Sequence, residues 1–152
     1  MKRLLYIGIF VIFMGFMGAC AHGEKALVSP GLSGIKTVYL WDADGHIDLN
    51  LLRGLKAAAA KELKAKGILV TDNASATDAY VKVTVIDASR NEDAGTTFVK
   101  ARLYIITAAD NLTLYDKTAQ TGVKWNKEDA PAYPVEEEVK KLLSDYPASG
   151  AK

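Results

Sequence analysis

The first twenty residues constrain the chain more than any other stretch. Two basic residues follow the initiating Met, residues 4–16 carry no charge, and Gly18 and Ala19 come directly before Cys20. A basic start, an apolar run and small residues at a cleavage site are typical of a secretory signal. We therefore predict that residues 1–19 are removed and that the mature protein begins at Cys20, outside the cytoplasm.

The run Met17-Gly18-Ala19-Cys20 resembles the lipobox of bacterial lipoproteins, with Met17 where that family usually has an aliphatic residue. The resemblance implies a diacylglyceryl group on the Cys20 thiol and a further acyl chain, such as palmitate, on the new amino terminus. Two or more acyl chains give stable membrane anchoring. Ala21, in place of the Asp that resembles an inner-membrane retention signal, implies the periplasmic side of the outer membrane.

Two other interpretations of the amino terminus stay open: an uncleaved membrane anchor and a plain secreted protein. The apolar stretch from Leu4 to Ala19 has 16 residues and contains three glycines. A spanning helix needs about 20 apolar residues, so this stretch is short for an anchor. Either interpretation still leaves the rest of the chain outside the cytoplasm.

Size and charge limit the possible roles of the mature chain. Removing 19 of the 152 residues leaves 133, enough for one domain with its own core. The single cysteine is used by the predicted lipid, so we expect no disulfide. The net charge of +1 becomes −1 when the two basic residues of the signal are lost, and no basic field remains to attract nucleic acid. The covalent lipid is the only cofactor-like group that we expect.

The mature chain divides into three parts. Residues 20–34 are small, Gly-bearing and aperiodic, and we predict a lipidated tether with a reach of about 45–50 Å. Residues 35–147 form a single domain, and residues 148–152 a flexible tail. The tether would let the domain meet a partner beside the bilayer.

Hydrophobic periodicity gives the order of elements in the domain. Strands are predicted at 35–41, 68–70, 80–87, 99–105 and 112–122, the last three as an antiparallel meander. Helices are predicted at 49–66 and from Pro134 until Pro147 ends the second one. Asp48 is the predicted N-cap of the first helix, and Pro134 suits the first position of the second. The order β-α-β-β-β-β-α predicts an α+β two-layer sandwich, with a mostly antiparallel sheet and two helices on one face.

The succession of Cys20 anchor, tether, strand, helix and meander resembles the small envelope lipoproteins of bacteria. These include the lipopolysaccharide-assembly lipoprotein and the auxiliary lipoproteins of transport systems. The chain departs from that pattern because it has no long helix beyond Tyr146. The resemblance implies a plug, adaptor or assembly factor without catalytic residues.

One acidic stretch is a weak candidate for a metal site. Around Gly45, the side chains of Asp42, Asp44 and Asp48 resemble the middle of an EF-hand calcium loop. Leu40 and Leu51 occupy the positions that should carry the anchoring carboxylates. We therefore predict a polar turn followed by a helix cap, and no metal.

Enzymatic activity has little support in the sequence. His22 lies in the predicted tether, and His46 has no Ser or second Cys arranged near it as a nucleophile. An enzyme would need a buried, paired His46 brought into place by tertiary contacts. We predict that the protein is not an enzyme.

Aromatic residues of the strands are the best candidates for a binding surface. Tyr80, Tyr104 and Trp125 are selected because aromatic side chains on the outer side of a sheet are enriched at interfaces. Cross-strand packing is the alternative role. An exposed edge at 112–122 could also recruit a partner by strand addition.

Together these patterns predict a lipid-anchored periplasmic accessory or assembly factor that docks to an envelope protein complex. The alternative is a lipoprotein that binds a small molecule or lipid. That alternative predicts a hydrophobic cavity between the first helix and the sheet, which the alanines at 57–60 would permit.

Overall fold

The computed structural model describes residues 24–125 and 132–147. The predicted signal, Cys20 and the predicted tail at 148–152 lie outside the described residues. Within the described ranges, no helix is both long enough and apolar enough to cross a membrane.

The described residues form one sheet of six strands and two α-helices. In chain order these are β1 (Leu27–Val28), β2 (Thr37–Leu40), α1 (Leu49–Ala65), β3 (Leu69–Thr71), β4 (Ala79–Asn91), β5 (Thr96–Thr107), β6 (Thr113–Lys124) and α2 (Val135–Leu142). A 3₁₀ helix at Pro30–Gly34 lies between β1 and β2. The strands lie side by side in the order β1-β6-β5-β4-β2-β3.

The predicted α+β fold is confirmed, with a sheet that is antiparallel through its long strands and parallel at one side. β4, β5 and β6 form the predicted antiparallel meander. β2 runs parallel to both of its neighbours, β3 and β4. The parallel β2–β3 pair follows from its connection, because α1 carries the chain back to the end of the sheet where β2 began.

Helix α1 begins where the sequence predicts. The Asp48 Oδ1 atom accepts the backbone N–H groups of Asn50 at 2.9 Å and Leu51 at 3.2 Å, which confirms the N-cap. Leu55, Ala59 and Leu63 have no exposed surface, and they form the face that α1 turns to the core. The second helix differs slightly from its prediction, because Pro134 is the N-cap of α2 and not its first helical residue.

The prediction of a loose tether is corrected for residues 27–34. Leu27 and Val28 pair with Asp116 and Tyr115 as an additional edge strand. Leu32 is only 1% exposed and belongs to the core. Burial of one large apolar side chain and pairing with an open strand edge outweigh the turn-forming composition that suggested a tether. The chain between Cys20 and the domain is therefore much shorter than predicted.

A β-bulge interrupts the pairing of β4 with β5. Val85 lies opposite Ala101 and Asp87 lies opposite Lys100, so Ile86 is the extra residue. Strand alternation places Ile86 on the side of the sheet opposite the buried Val83 and Val85, and Ile86 is 51% exposed. The bulge therefore shifts the pairing of β4 with β5 by one residue beyond Val85.

Candidate functional site

The helices cover one face of the sheet and leave the other open. Strand alternation places Val81, Val83, Leu103 and Ile105 on the covered face, where all four are buried. Their neighbours along the strands form what we call the open face. Its main members are Tyr39, Tyr80, Lys82, Thr84, Arg102, Tyr104, Asp116 and Thr118, which are half-buried except for the exposed Arg102.

Three aromatic side chains form a patch at one end of the open face. The rings of Trp41 and Tyr80 are stacked, with centroids 5.2 Å apart and an interplanar angle of 15°. Tyr39 meets Tyr80 edge-to-face at 6.4 Å. All three are half-buried. We call Tyr39, Trp41 and Tyr80 the aromatic patch, and it includes one of the three predicted binding residues.

Tyr104 lies beside the aromatic patch, within a polar pair of strands. Its cross-strand partner is Lys82, whose Nζ lies 2.6 Å from the Asp44 Oδ2 atom. The Lys82 ammonium lowers the pKa of Asp44, and the Asp44 carboxylate in turn raises the pKa of Lys82. The structure therefore brings Tyr80 and Tyr104 onto one surface of the sheet, and their role in binding stays a prediction.

Trp125 does not share that surface. Its indole N–H donates to the Thr97 hydroxyl at 3.1 Å. Thr97 is buried and alternates with Val99 and Ala101 on the covered face, so Trp125 lies on the helix side of the sheet. The Arg90 guanidinium lies 5.3 Å from the centre of the Trp125 ring. These contacts favour the packing role for Trp125.

A shallow groove of about 370 Å³ lies on the open face away from the aromatic patch. Arg102 crosses it, with Nε donating to Asp116 Oδ1 at 2.8 Å and a second bond from Nη2 to Oδ2. The Asp116 carboxylate raises the pKa of Arg102. Glu24, Lys25, Leu27, Ile86, Lys117 and Thr118 complete the lining.

The three aspartates of the acidic stretch are held apart by separate partners. Asp42 Oδ1 lies 2.6 Å from Lys56 Nζ, Asp44 bonds Lys82, and Asp48 caps α1. Across residues 24–125 and 132–147, no group of three His, Cys, Asp or Glu side chains is placed to hold a metal ion. The structure therefore gives each carboxylate of the weak metal candidate a structural role.

His46 has a structural environment. Its Nδ1 accepts the backbone N–H of Asp48 at 3.0 Å, and its ring lies 6.3 Å from that of Tyr133 in an edge-on arrangement. Because Nδ1 accepts this backbone N–H, it cannot donate to the carboxylate that orients a catalytic histidine.

A buried acid on the inner side of α2 was not predicted from the sequence. Glu138 has no exposed surface, and its Oε1 accepts the backbone N–H of Ala101 at 2.9 Å. Burial raises the pKa of this carboxyl. Among the described residues, its Oε2 and the nearby Thr121 hydroxyl have no hydrogen-bond partner. Glu138 holds the helix layer to the sheet at the bulge.

The edge of β6 is only partly available for strand addition. β1 covers it at Tyr115 and Asp116. Further along, Lys141 Nζ donates to the backbone oxygen of Gln120 at 3.1 Å. Lysines near an exposed edge disfavour pairing with another chain. The open face is therefore a better candidate surface than this edge.

Solved structures share the fold at low sequence identity. No protein-family model matches the chain, and no curated protein matches its sequence. The PelC dodecamer from Paraburkholderia phytofirmans is 14% identical, with a TM-score of 0.59 over 79% of this chain and 93% of that chain. A DUF4136 family protein from Bacteroides thetaiotaomicron is 11% identical, with a TM-score of 0.58 over 82% and 95%. Lipoprotein GNA1162 from Neisseria meningitidis is 16% identical, with a TM-score of 0.51 over 61% and 88%. The likeness establishes the fold, which bacterial lipoproteins also use.

Proposed function

We propose that the protein is a lipid-anchored accessory factor without enzymatic activity, which docks to an envelope protein through the aromatic end of its open face. The lipid is attached at Cys20, and the domain faces the periplasm from the outer membrane. The lipobox-like sequence and the fold shared with bacterial lipoproteins support this placement.

One observation carries the docking role: the helices leave one face of the sheet uncovered, and that face presents aromatic side chains. Tyr39, Trp41 and Tyr80 are half-buried and mutually packed, so they are ordered before any partner arrives. Preordered aromatic side chains lose little conformational entropy on binding and are frequent at the centre of interfaces. Lys82, Asp44 and Tyr104 provide a polar border beside them.

The alternative, a binder of small molecules or lipids inside the fold, has less support. It requires a cavity between the first helix and the sheet. The side chains that α1 turns to the core, Leu55, Ala59 and Leu63, are completely buried. The space between the two helices, beside Ala58 and Glu136, has about 20 Å³, enough for roughly one water molecule.

Site-specific photocrosslinking in living cells tests the docking surface. A photoreactive amino acid would replace Tyr39 or Tyr104 on the open face, with Lys64 on the exposed side of α1 as the matched control position. We expect one envelope protein to be captured from Tyr39 and Tyr104 and not from Lys64. Equal capture from all three positions would contradict the proposal. Crosslinks only to a second copy of the chain would replace the envelope partner by self-assembly.

A further inference from the structure

The chain enters the domain across the open face. Glu24 and Lys25, the first described residues, line the groove together with Ile86 and Arg102. Only three residues separate Glu24 from Cys20. Four residue steps span at most about 14 Å, so the backbone of Cys20, to which the proposed lipid is attached, stays within that distance of Glu24 at the groove.

The surface beside that entry point is amphipathic. Leu27 is 54% exposed and Ile86 is 51% exposed, and both flank the groove. Leu27 lies on the open face because it pairs with Asp116, and Ile86 lies there because it alternates with the buried Val85 along β4. Lys25 and Arg102 add two cations beside the carboxylates of Glu24 and Asp116, and 52% of the Arg102 side chain stays accessible beside its ion pair. Exposed aliphatic side chains next to cations suit the boundary between lipid headgroups and acyl chains.

We propose that Leu27, Ile86, Lys25 and Arg102, together the anchor patch, rest on the phospholipid surface of the membrane that holds the lipid of Cys20. This inference rests on the lipidation in the proposed function. The short connection keeps the groove at the bilayer, and the cations face the phosphate groups. The open face is therefore turned toward the membrane, with the helices on the far side.

This orientation also restricts the partner. Tyr80 lies six residues before Ile86 on β4, about 20 Å along the strand. With the anchor patch on the lipid surface, the aromatic patch stays close to the same surface. The envelope protein of the proposed function is then embedded in that membrane or lies directly on it.

Lipid-quenching fluorescence on the full-length protein tests the orientation. The protein is purified from cell membranes, and its intact mass reports the lipid on Cys20. The thiol of Cys20 is then blocked by its thioether, so a cysteine introduced by Ile86→Cys is labelled alone with an environment-sensitive dye. Thr118→Cys places the dye elsewhere in the groove. Leu49→Cys on α1 is the control, with a comparably exposed apolar side chain, 62% exposed, in the helix layer.

The labelled proteins are reconstituted in vesicles of phosphatidylethanolamine and phosphatidylglycerol that contain a nitroxide-labelled phospholipid. We expect quenching at positions 86 and 118 to exceed quenching at position 49 several-fold. Equal quenching at the three positions in a lipidated protein would overturn the orientation and leave the proposed function intact. An intact mass without lipid would overturn the proposed anchor itself, and the orientation with it.

Discussion

The Oε1 atom of Glu138 lies 2.9 Å from the backbone nitrogen of Ala101, in the middle of the sheet and under a helix. Ala101 pairs with Val85, the residue at which the bulge in β4 begins. A bulge disrupts the ladder of strand hydrogen bonds locally. A side chain from α2 therefore supplies the acceptor for this buried N–H group, and the helix layer is tied to the irregular point of the sheet.

Glu138→Gln is expected to stabilise the domain at neutral and alkaline pH. The amide oxygen keeps the bond to Ala101, and the amide N–H₂ can donate to the Thr121 hydroxyl. Burial raises the pKa of Glu138 above its ordinary 4.5. Because the pKa is higher in the folded state than in the unfolded state, ionisation of Glu138 costs stability only above the pKa of the unfolded state. The cost is absent below about pH 4.5, grows until the pH passes the pKa of the folded state, and is constant above it. At pH 8 we expect a gain of roughly 1–2 kcal/mol in the free energy of unfolding.

Urea unfolding at pH 4 and at pH 8 measures this difference. Glu137→Gln, on the exposed side of the same helix, is the matched control and should change stability little at either pH. A Glu138→Gln variant that matches the native protein at both values would show that the buried carboxyl is not disfavoured by its surroundings.

Asp78→Ala is expected to weaken the junction between β2 and β4. Asp78 Oδ2 accepts the backbone N–H groups of Lys36 at 2.9 Å and Thr37 at 2.8 Å, and these bonds lower the pKa of Asp78. Because the pKa of Asp78 is lower in the folded state than in the unfolded state, its carboxylate stabilises the fold above the pKa of the unfolded state. That contribution is lost as the pH falls through the pKa of the folded state. We expect a loss of roughly 1 kcal/mol at pH 7, because water partly replaces an exposed acceptor.

The loss should be smaller at pH 3, and a thermal unfolding series across pH 2–7 would measure it. Asp72→Ala is the control, because Asp72 is an exposed aspartate of the same loop. An equal loss in both variants would attribute the effect to the loop and not to the two backbone bonds.

Gly45→Ala is expected to be strongly destabilising. Gly45 has a φ of 90°, and an added Cβ would lie 2.2 Å from the backbone oxygen of Val85. The oxygen belongs to the backbone of β4, so the overlap is relieved only if β4 moves. We expect the free energy of unfolding to fall by about 2–4 kcal/mol. Gly34→Ala is the matched control, since a Cβ there meets no atom within 4 Å. Chemical denaturation of both variants compares them, and similar midpoints would contradict the close approach.

Trp125→Ala should leave partner capture unchanged, whereas Tyr80→Ala should reduce it several-fold. Trp125 contacts Thr97 and Arg90 on the helix side, and Tyr80 is the centre of the aromatic patch. Crosslinking from Tyr104 in each variant measures the difference, with circular dichroism to verify folding. Loss of capture in the folded Trp125→Ala variant would move the docking surface to the end of β6.

The sequence predicts the regular elements well because their signals are local. The cap at Asp48 and the alternation of β4 depend on neighbouring residues alone. The strand β1 is not predicted, since two residues in a stretch rich in Gly, Ser and Pro carry no periodicity. The parallel pairing of β2 is not predicted either, because it depends on contacts between distant parts of the chain.

The candidate site is predictable to the same extent. Alternation within β4 and β5 places Tyr80 and Tyr104 on the outer side of the sheet. The side on which Trp125 lies depends on the register of β6 against β5, which the sequence does not give. The sequence alone therefore groups Trp125 with the two tyrosines. Glu138 does carry a signal in the sequence. It stands three residues after Val135 and four before Leu142, on the apolar stripe of α2, where a carboxyl must be buried.

The pairing of Leu27–Val28 with β6 is also a reserve of chain length. A pull directed along the chain from Cys20 loads β1 before any other strand, because β1 is the first element and has only two paired residues. Detaching residues 27–34 would lengthen the connection by about 26 Å. The release is opposed because it would expose the side chain of Leu32, which is buried in the core. The distance between the domain and its point of attachment thus depends on the applied force as well as on the length of the sequence. Without force, the pairing of β1 and the burial of Leu32 keep the connection short.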